Sequence, residues 1–122
     1  MAKLRVLLVE DDSDNRELLA EVLQDQYEVL TAPDGPSGLQ LFLDLRPDVV
    51  VTDEALPGLR GTELARRIKA QTPAARVILV SGYAHPPGTE YCDAVLRKPL
   101  DIAELMKAVG EARPEGEPTM TW

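Results

Sequence analysis

Apolar residues along this chain fall into two alternating patterns: short, nearly continuous runs, and longer stretches in which they recur at helical spacing. The first run, residues 4–9, is Leu-Arg-Val-Leu-Leu-Val and stops abruptly at Glu10, Asp11 and Asp12. A brief Val/Leu run without polar alternation reads as a strand covered on both faces. Ser13 or Asp14 then stands where a helix cap is needed, and Leu18, Leu19, Val22 and Leu23 share one face of the helix that follows. Residues 27–31 read as a second strand, with Asp34-Gly35 as the turn out of it. Leu39, Phe42 and Leu45, with Leu41 at the edge, mark a second amphipathic helix that Arg46-Pro47 ends. Val49, Val50 and Val51 form a third buried strand, again closing at acids, Asp53 and Glu54. Thr62 opens a third helix through Leu64, Ala65 and Ile68, stopped by Pro73.

Residues 77–80 make a fourth strand, ending at Ser81-Gly82, and there the alternation breaks. The stretch before the fifth strand, residues 94–96, contains Pro86, Pro87 and Gly88. A proline inside a helix costs roughly 3 kcal/mol, so the helix expected here is truncated or replaced by a loop. His85 falls in that loop as an exposed, incidental residue. After Lys98-Pro99, Asp101 caps a last helix with Ile102, Leu105, Met106 and Val109 on one face. Residues 1–112 thus form one domain, and residues 113–122, rich in Pro, Gly and Glu without periodicity, a mobile tail. Five buried strands alternating with helices describe a doubly wound α/β fold: a five-stranded parallel sheet with helices on both faces.

Composition narrows the function. The chain has 122 residues, one domain's worth, and a formal net charge of −8. Such a surface repels nucleic-acid phosphates while leaving local cation binding open. A single cysteine, Cys92, permits neither an internal disulfide nor a cysteine-based metal cluster, and reads as a small buried hydrophobe. Acids interrupt the first apolar run too early for a signal peptide, and no stretch reaches the roughly 18 apolar residues of a membrane span. A cytoplasmic location follows as the expectation. Phosphate-loop chemistry is excluded, because no glycine-rich run precedes a Lys-Ser or Lys-Thr pair.

In an open parallel sheet, ligands bind outside the carboxyl ends of the strands, near the switch in strand order. Reading those ends gives Glu10 and Asp11 after the first strand, Asp53 after the third, Ser81 after the fourth and Lys98 after the fifth. Two like charges about 4 Å apart repel by roughly 4 kcal/mol at an effective dielectric near 20. Three gathered carboxylates therefore call for protons or a cation. Hard oxygen donors favour Mg²⁺, or Mn²⁺, which binds few carboxylates and completes its shell with water and phosphate oxygens. Asp53 then has the makings of a nucleophile that forms an aspartyl phosphate, with Lys98 as a point charge and Ser81 as a hydroxyl donor on the phosphoryl oxygens. Helix capping alone suffices for Asp12, Asp34 and Asp101, but not for acids at two strand ends matched by a lysine.

This set closely resembles the receiver domain of two-component signalling. The resemblance runs from about Leu4 to Ala112 and rests on Leu8-Val9-Glu10-Asp11-Asp12, on Val51-Thr52-Asp53 followed by Leu56-Pro57, on Ser81-Gly82 and on Lys98-Pro99. It implies a flavodoxin-like fold in which Asp11 is a direct metal ligand and Glu10 acts through water. It further implies that Asp53 is phosphoacceptor and ligand, that the Ala55 backbone carbonyl completes the protein's share, and that Lys98-Pro99 is cis. A histidine kinase or histidine phosphotransfer protein would be the donor, and a downstream protein bound in trans the target. The chain would be a monomer or a phosphorylation-dependent dimer, catalysing only its own phosphorylation and dephosphorylation. Three departures stand out: Arg60 where an acid often precedes the glycine, Val95 where an aromatic often stands three residues before the lysine, and the proline-broken segment. Tyr83 and Tyr91 are the aromatics available to stand in for that side chain. Two other classes compete. A degenerate receiver would act as a docking module without phosphate. An aspartyl-phosphate phosphatase would need a second aspartate two residues after a nucleophile on the first strand, which Glu10-Asp11-Asp12 does not supply cleanly.

Overall fold

The computed structural model describes residues 3–83 and 86–112; His85 and the tail 113–122 lie outside the described residues. Five strands, β1 (Arg5–Val9), β2 (Glu28–Ala32), β3 (Val49–Asp53), β4 (Arg76–Ser81) and β5 (Ala94–Arg97), form one sheet in the order β2-β1-β3-β4-β5. Every neighbouring pair is parallel, and the order reverses between β1 and β3. Helices α1 (Ser13–Gln24), α2 (Gly35–Leu45), α3 (Gly61–Gln71) and α4 (Ile102–Gly110) connect or follow the strands.

Alternation along the central strands divides the interior in two. Val6, Leu8, Val49, Val51, Ile78 and Val80 pack with Leu23 of α1 and with Leu105 and Val109 of α4. Leu7, Val9, Val50 and Val77 point the other way, onto Phe42 of α2 and onto Leu64, Ala65 and Ile68 of α3. Each fully buried side chain of this size contributes about 1.5–3 kcal/mol, which explains why β1 and β3 read as unbroken apolar runs.

Several local expectations shift. Asp12, not Ser13 or Asp14, caps α1: its backbone is extended and its carboxylate accepts from the Asn15 amide. Asp34-Gly35 is the start of α2 rather than a free turn, since Asp34 accepts from Ser37 N at 2.7 Å. Leu18, Leu45 and Ile102, assigned to the helices' apolar faces, are 57%, 39% and 38% exposed. Between β4 and β5 the described residues carry one 3₁₀ turn, Thr89–Tyr91, in place of a regular helix, as Pro86, Pro87 and Gly88 dictate. Cys92 is half-buried against the α2/α3 side, and burial pushes its thiol up to about 11.

Candidate metal and acceptor site

The carboxyl edge of the sheet gathers the site because β1 and β3, adjacent at the switch in strand order, both end in acids. Glu10, Asp11 and Asp53 each offer a carboxylate oxygen, and these oxygens lie within 4.8 Å of one another. Glu10 and Asp53 are buried, 5% and 6% exposed, whereas Asp11 faces solvent. Burial first, then the hydrogen bond to Asp53, raises the Glu10 carboxyl to about 7. Its Oε2 accepts from Asp12 N at 3.2 Å, and Arg16 donates to the Glu10 carbonyl at 2.8 Å. The loop after β1 is therefore braced by the first turn of α1.

Lys98 reaches the cluster from the far side of β4. Its Nζ stands 3.2 Å from Asp53 Oδ1, with the lysine side chain 45% and the aspartate side chain 7% exposed. The Lys98-Pro99 bond is cis, and Lys98 N donates to Ser81 O at 2.8 Å, so the end of β4 fixes where the lysine leaves the sheet. Ser81 is 2% exposed and follows Val80, the register partner of Asp53; its Oγ accepts from Tyr83 N at 3.1 Å. Ala55 is exposed two residues beyond Asp53. All six residues singled out in the sequence thus occupy one edge.

The donor set fits a small hard dication. Ligand oxygens of an octahedral Mg²⁺ stand at most about 4.2 Å apart, twice a bond of about 2.1 Å. A spread of up to 4.8 Å among three carboxylates needs only slight closure, or a water between Glu10 and the ion. Two open spaces flank the cluster. One, of about 420 Å³, lies between α1 and α4 and is lined by Asn15, Leu18, Pro99 and Ile102 beside Asp53 and Lys98, which accounts for the exposure of Leu18 and Ile102. The other, of about 400 Å³, is bordered by Asp11, Ala55, Arg60, Tyr83 and Pro86. Tyr83 and Tyr91 are 74% and 40% exposed, and β5 carries Val95, itself 39% exposed, where the family often has an aromatic.

One structural role escaped the sequence. Gly61 is obligatory: a Cβ there would come 2.2 Å from the Asp53 carbonyl oxygen and 2.8 Å from Leu79 Cδ1. The Gly after Arg60 was visible, but its contact with the Asp53 backbone needed the fold.

Comparison with known proteins places the chain in a family. Residues 6–110 match the response regulator receiver domain, and the chain belongs to that family of two-component proteins. It is 30% identical over 120 residues to the sporulation initiation phosphotransferase F of Bacillus subtilis, across 93% of this chain and 97% of that protein. It is 39% identical over 110 residues to the transcriptional regulatory protein CseB of Streptomyces coelicolor, across 85% of this chain and 47% of CseB. The chain therefore spans about half of CseB, and it matches 12% of the sensor histidine kinase TmoS of Ectopseudomonas mendocina. Among solved structures, the response regulator TrrA of Thermotoga maritima in complex with Mg²⁺-BeF superposes with a TM-score of 0.83 at 33% identity, covering 88% of this chain and 97% of that one. The chemotaxis response regulator CheY4 of Vibrio cholerae gives 0.80 at 26%, covering 89% and 98%. No helix among the described residues is long and apolar enough to cross a membrane.

Proposed function

We propose that this chain is a phosphoacceptor switch: Asp53 takes a phosphoryl group from a phosphohistidine of a histidine kinase or phosphotransfer protein. The observation that carries the reading is the buried Asp53 carboxylate, paired with Lys98 at 3.2 Å and standing beside two further carboxylates. A carboxylate oxygen of Asp53 forms the new P–O bond as the P–N bond breaks, and the electron pair of that bond leaves on the imidazole. Mg²⁺, or Mn²⁺, held by Asp11, Asp53, the Ala55 carbonyl and, through water, Glu10, would neutralise charge on the transferring group. Lys98 holds a phosphoryl oxygen electrostatically, and Ser81 donates its hydroxyl to another. Small Ala55 leaves room beside the phosphoryl group for water or a partner's side chain.

Such a domain modifies itself without turning over a separate substrate. Phosphorylation recruits Ser81 and Lys98 and selects one arrangement of the loops after β3 and β4, whose surface then meets a downstream protein in trans, or a second copy. With a 3₁₀ turn before β5 and Val95 within it, that surface is not the one an additional helix and a moving aromatic would make. We place the work in the cytoplasm, where a kinase would supply the phosphoryl group.

The test is intact-mass analysis after incubation with acetyl phosphate and Mg²⁺, beside Asp53→Asn and chelated samples. One added phosphoryl group that requires both Asp53 and the metal supports the acceptor reading. A folded chain left unmodified while a control receiver is labelled would sink it and favour the docking module.

A further inference from the structure

Helix α3 begins without a cap of its own. Arg60, the residue at its N-cap, makes no side-chain hydrogen bond to the first turn, although the leading N–H groups of a helix need acceptors. Glu54 supplies them from the end of β3. Its carbonyl accepts from Gly61 N at 3.0 Å, its Oε1 from Thr62 N at 2.8 Å, and its Oε2 from Thr62 Oγ1 at 3.2 Å. Glu54 N donates in turn to Val80 O at 3.1 Å, so one residue joins β3, β4 and the start of α3. Its neighbour Asp53 belongs to the acidic cluster, whereas the Glu54 carboxylate is spent on Thr62.

These bonds close the loop 54–62 into a ring, and Ala55 lies inside it. Pro57 and Gly58 (φ +77°) turn that loop, Gly35 N donates to Pro57 O at 3.3 Å, and among the described residues no hydrogen bond holds the Ala55 peptide itself. Gly61 lets the start of α3 sit directly against the Asp53 carbonyl, which even a methyl group there would strike. The Glu54–Thr62 latch prevents it from moving away. A negative side chain at a helix N-terminus is also favoured by the helix dipole. Thr62 also lies beside the segment before β5: a methyl added at Gly88 would stand 3.4 Å from its Cβ.

We propose that Glu54 is a positioning residue for the cation, acting through Thr62 to hold the loop that presents the Ala55 carbonyl. The inference rests on the metal-assisted acceptor reading given above. Partners that orient a metal's ligands are commonly worth 10–100-fold in affinity, and a carboxylate held by two hydrogen bonds to Thr62 belongs in that class.

The experiment is calorimetric titration of the full chain with Mg²⁺ at pH 8 and 0.15 M salt, comparing wild type with Glu54→Ala, Glu54→Gln and Thr62→Val. Glu54→Ala should weaken Mg²⁺ about tenfold or more. Glu54→Gln keeps an acceptor for Thr62 N and gains an N–H for Thr62 Oγ1 while losing the charge; screened attraction alone predicts a loss of about twofold. Thr62→Val, which deletes one hydrogen bond, should lose about threefold. Independently of metal, hydrogen exchange at the Thr62 amide should quicken in Glu54→Ala. Equal affinities for wild type and Glu54→Ala would overturn the inference, and so would a Glu54→Gln loss as large as that of Glu54→Ala, which would reduce Glu54 to a distant charge. Should Glu54→Ala not fold, Thr62→Val decides, and an unchanged affinity there overturns the latch. A wild-type chain that binds no Mg²⁺ would bring down the functional reading itself, before any variant is compared.

Discussion

Burial holds the Glu10 carboxyl near 7, well above its usual 4.5, with the Asp53 hydrogen bond adding to the shift. Between those two values the folded chain carries a proton that the unfolded chain has released. Stability from this group therefore falls as pH rises through that window and is flat above it. In chelator, the urea midpoint of wild type should drop from pH 5 to pH 8 by more than that of Glu10→Gln; equal slopes would place the proton elsewhere. A magnesium ion held as proposed would compete for the same site, so its affinity should climb across the same window. Lys98 behaves differently. Its side chain is nearly half exposed, so the pair with Asp53 is worth little to stability, about 1 kcal/mol or less. Lys98→Ala should leave the urea midpoint almost unmoved while slowing acetyl-phosphate labelling about a hundredfold. A large loss of stability with labelling intact would assign the lysine to the fold. The approach of Glu10, Asp53 and Lys98 was legible from the chain, because abrupt ends of apolar runs fix which residue crowns each strand. The cap of α1 was not. Asp12, Ser13 and Asp14 all carry capping oxygens, and only the extended backbone at Asp12 (ψ 120°) selects among them.

Elements meet the site through their ends, and glycine decides how closely. Gly61 and Gly82 both stand next to site residues and look alike in sequence, yet a Cβ at Gly61 meets the Asp53 carbonyl at 2.2 Å while one at Gly82 meets nothing within 4 Å. Gly61→Ala should cost about 1–3 kcal/mol, as other overpacked sites do, and disturb Asp53 with it. Gly82→Ala should stay within about 0.5 kcal/mol. Urea unfolding of the two variants checks both, and equal effects would mean that the junction of β3 and α3 yields easily. Proline made the truncated segment before β5 readable, since its effect is local and large. The Glu54 contacts were unreadable for the opposite reason. They join residues eight apart across a loop, and nothing in Glu54 distinguishes a tethering acid from another ligand until the chain turns back.

At the scale of the molecule, the fold followed from alternation: β1, β3 and β4 are apolar on both sides because helices cover both sides, and that demand leaves a run rather than a period. Leu18 and Ile102 broke the pattern, for they border the open cleft between α1 and α4 instead of filling it. The same architecture gathers acids at one edge, and among the described residues Lys98 is the cation ion-paired to them. The folded chain thus stores repulsion that an unfolded chain does not have, and a dication bound only by the folded state relieves it. At a free concentration of about one hundred times its Kd, such an ion adds about 2.7 kcal/mol. For a domain of this size that raises Tm on the order of 10 °C. Thermal unfolding in rising Mg²⁺ should show this upward drift, reversed by chelator and absent in Asp11→Asn. The increment should also be smaller at pH 5.5 than at pH 8, because Glu10 must give up its proton to join the site. A Tm that rises equally in wild type and Asp11→Asn would mean that the ion acts on the −8 surface at large rather than on the cluster at the sheet's edge.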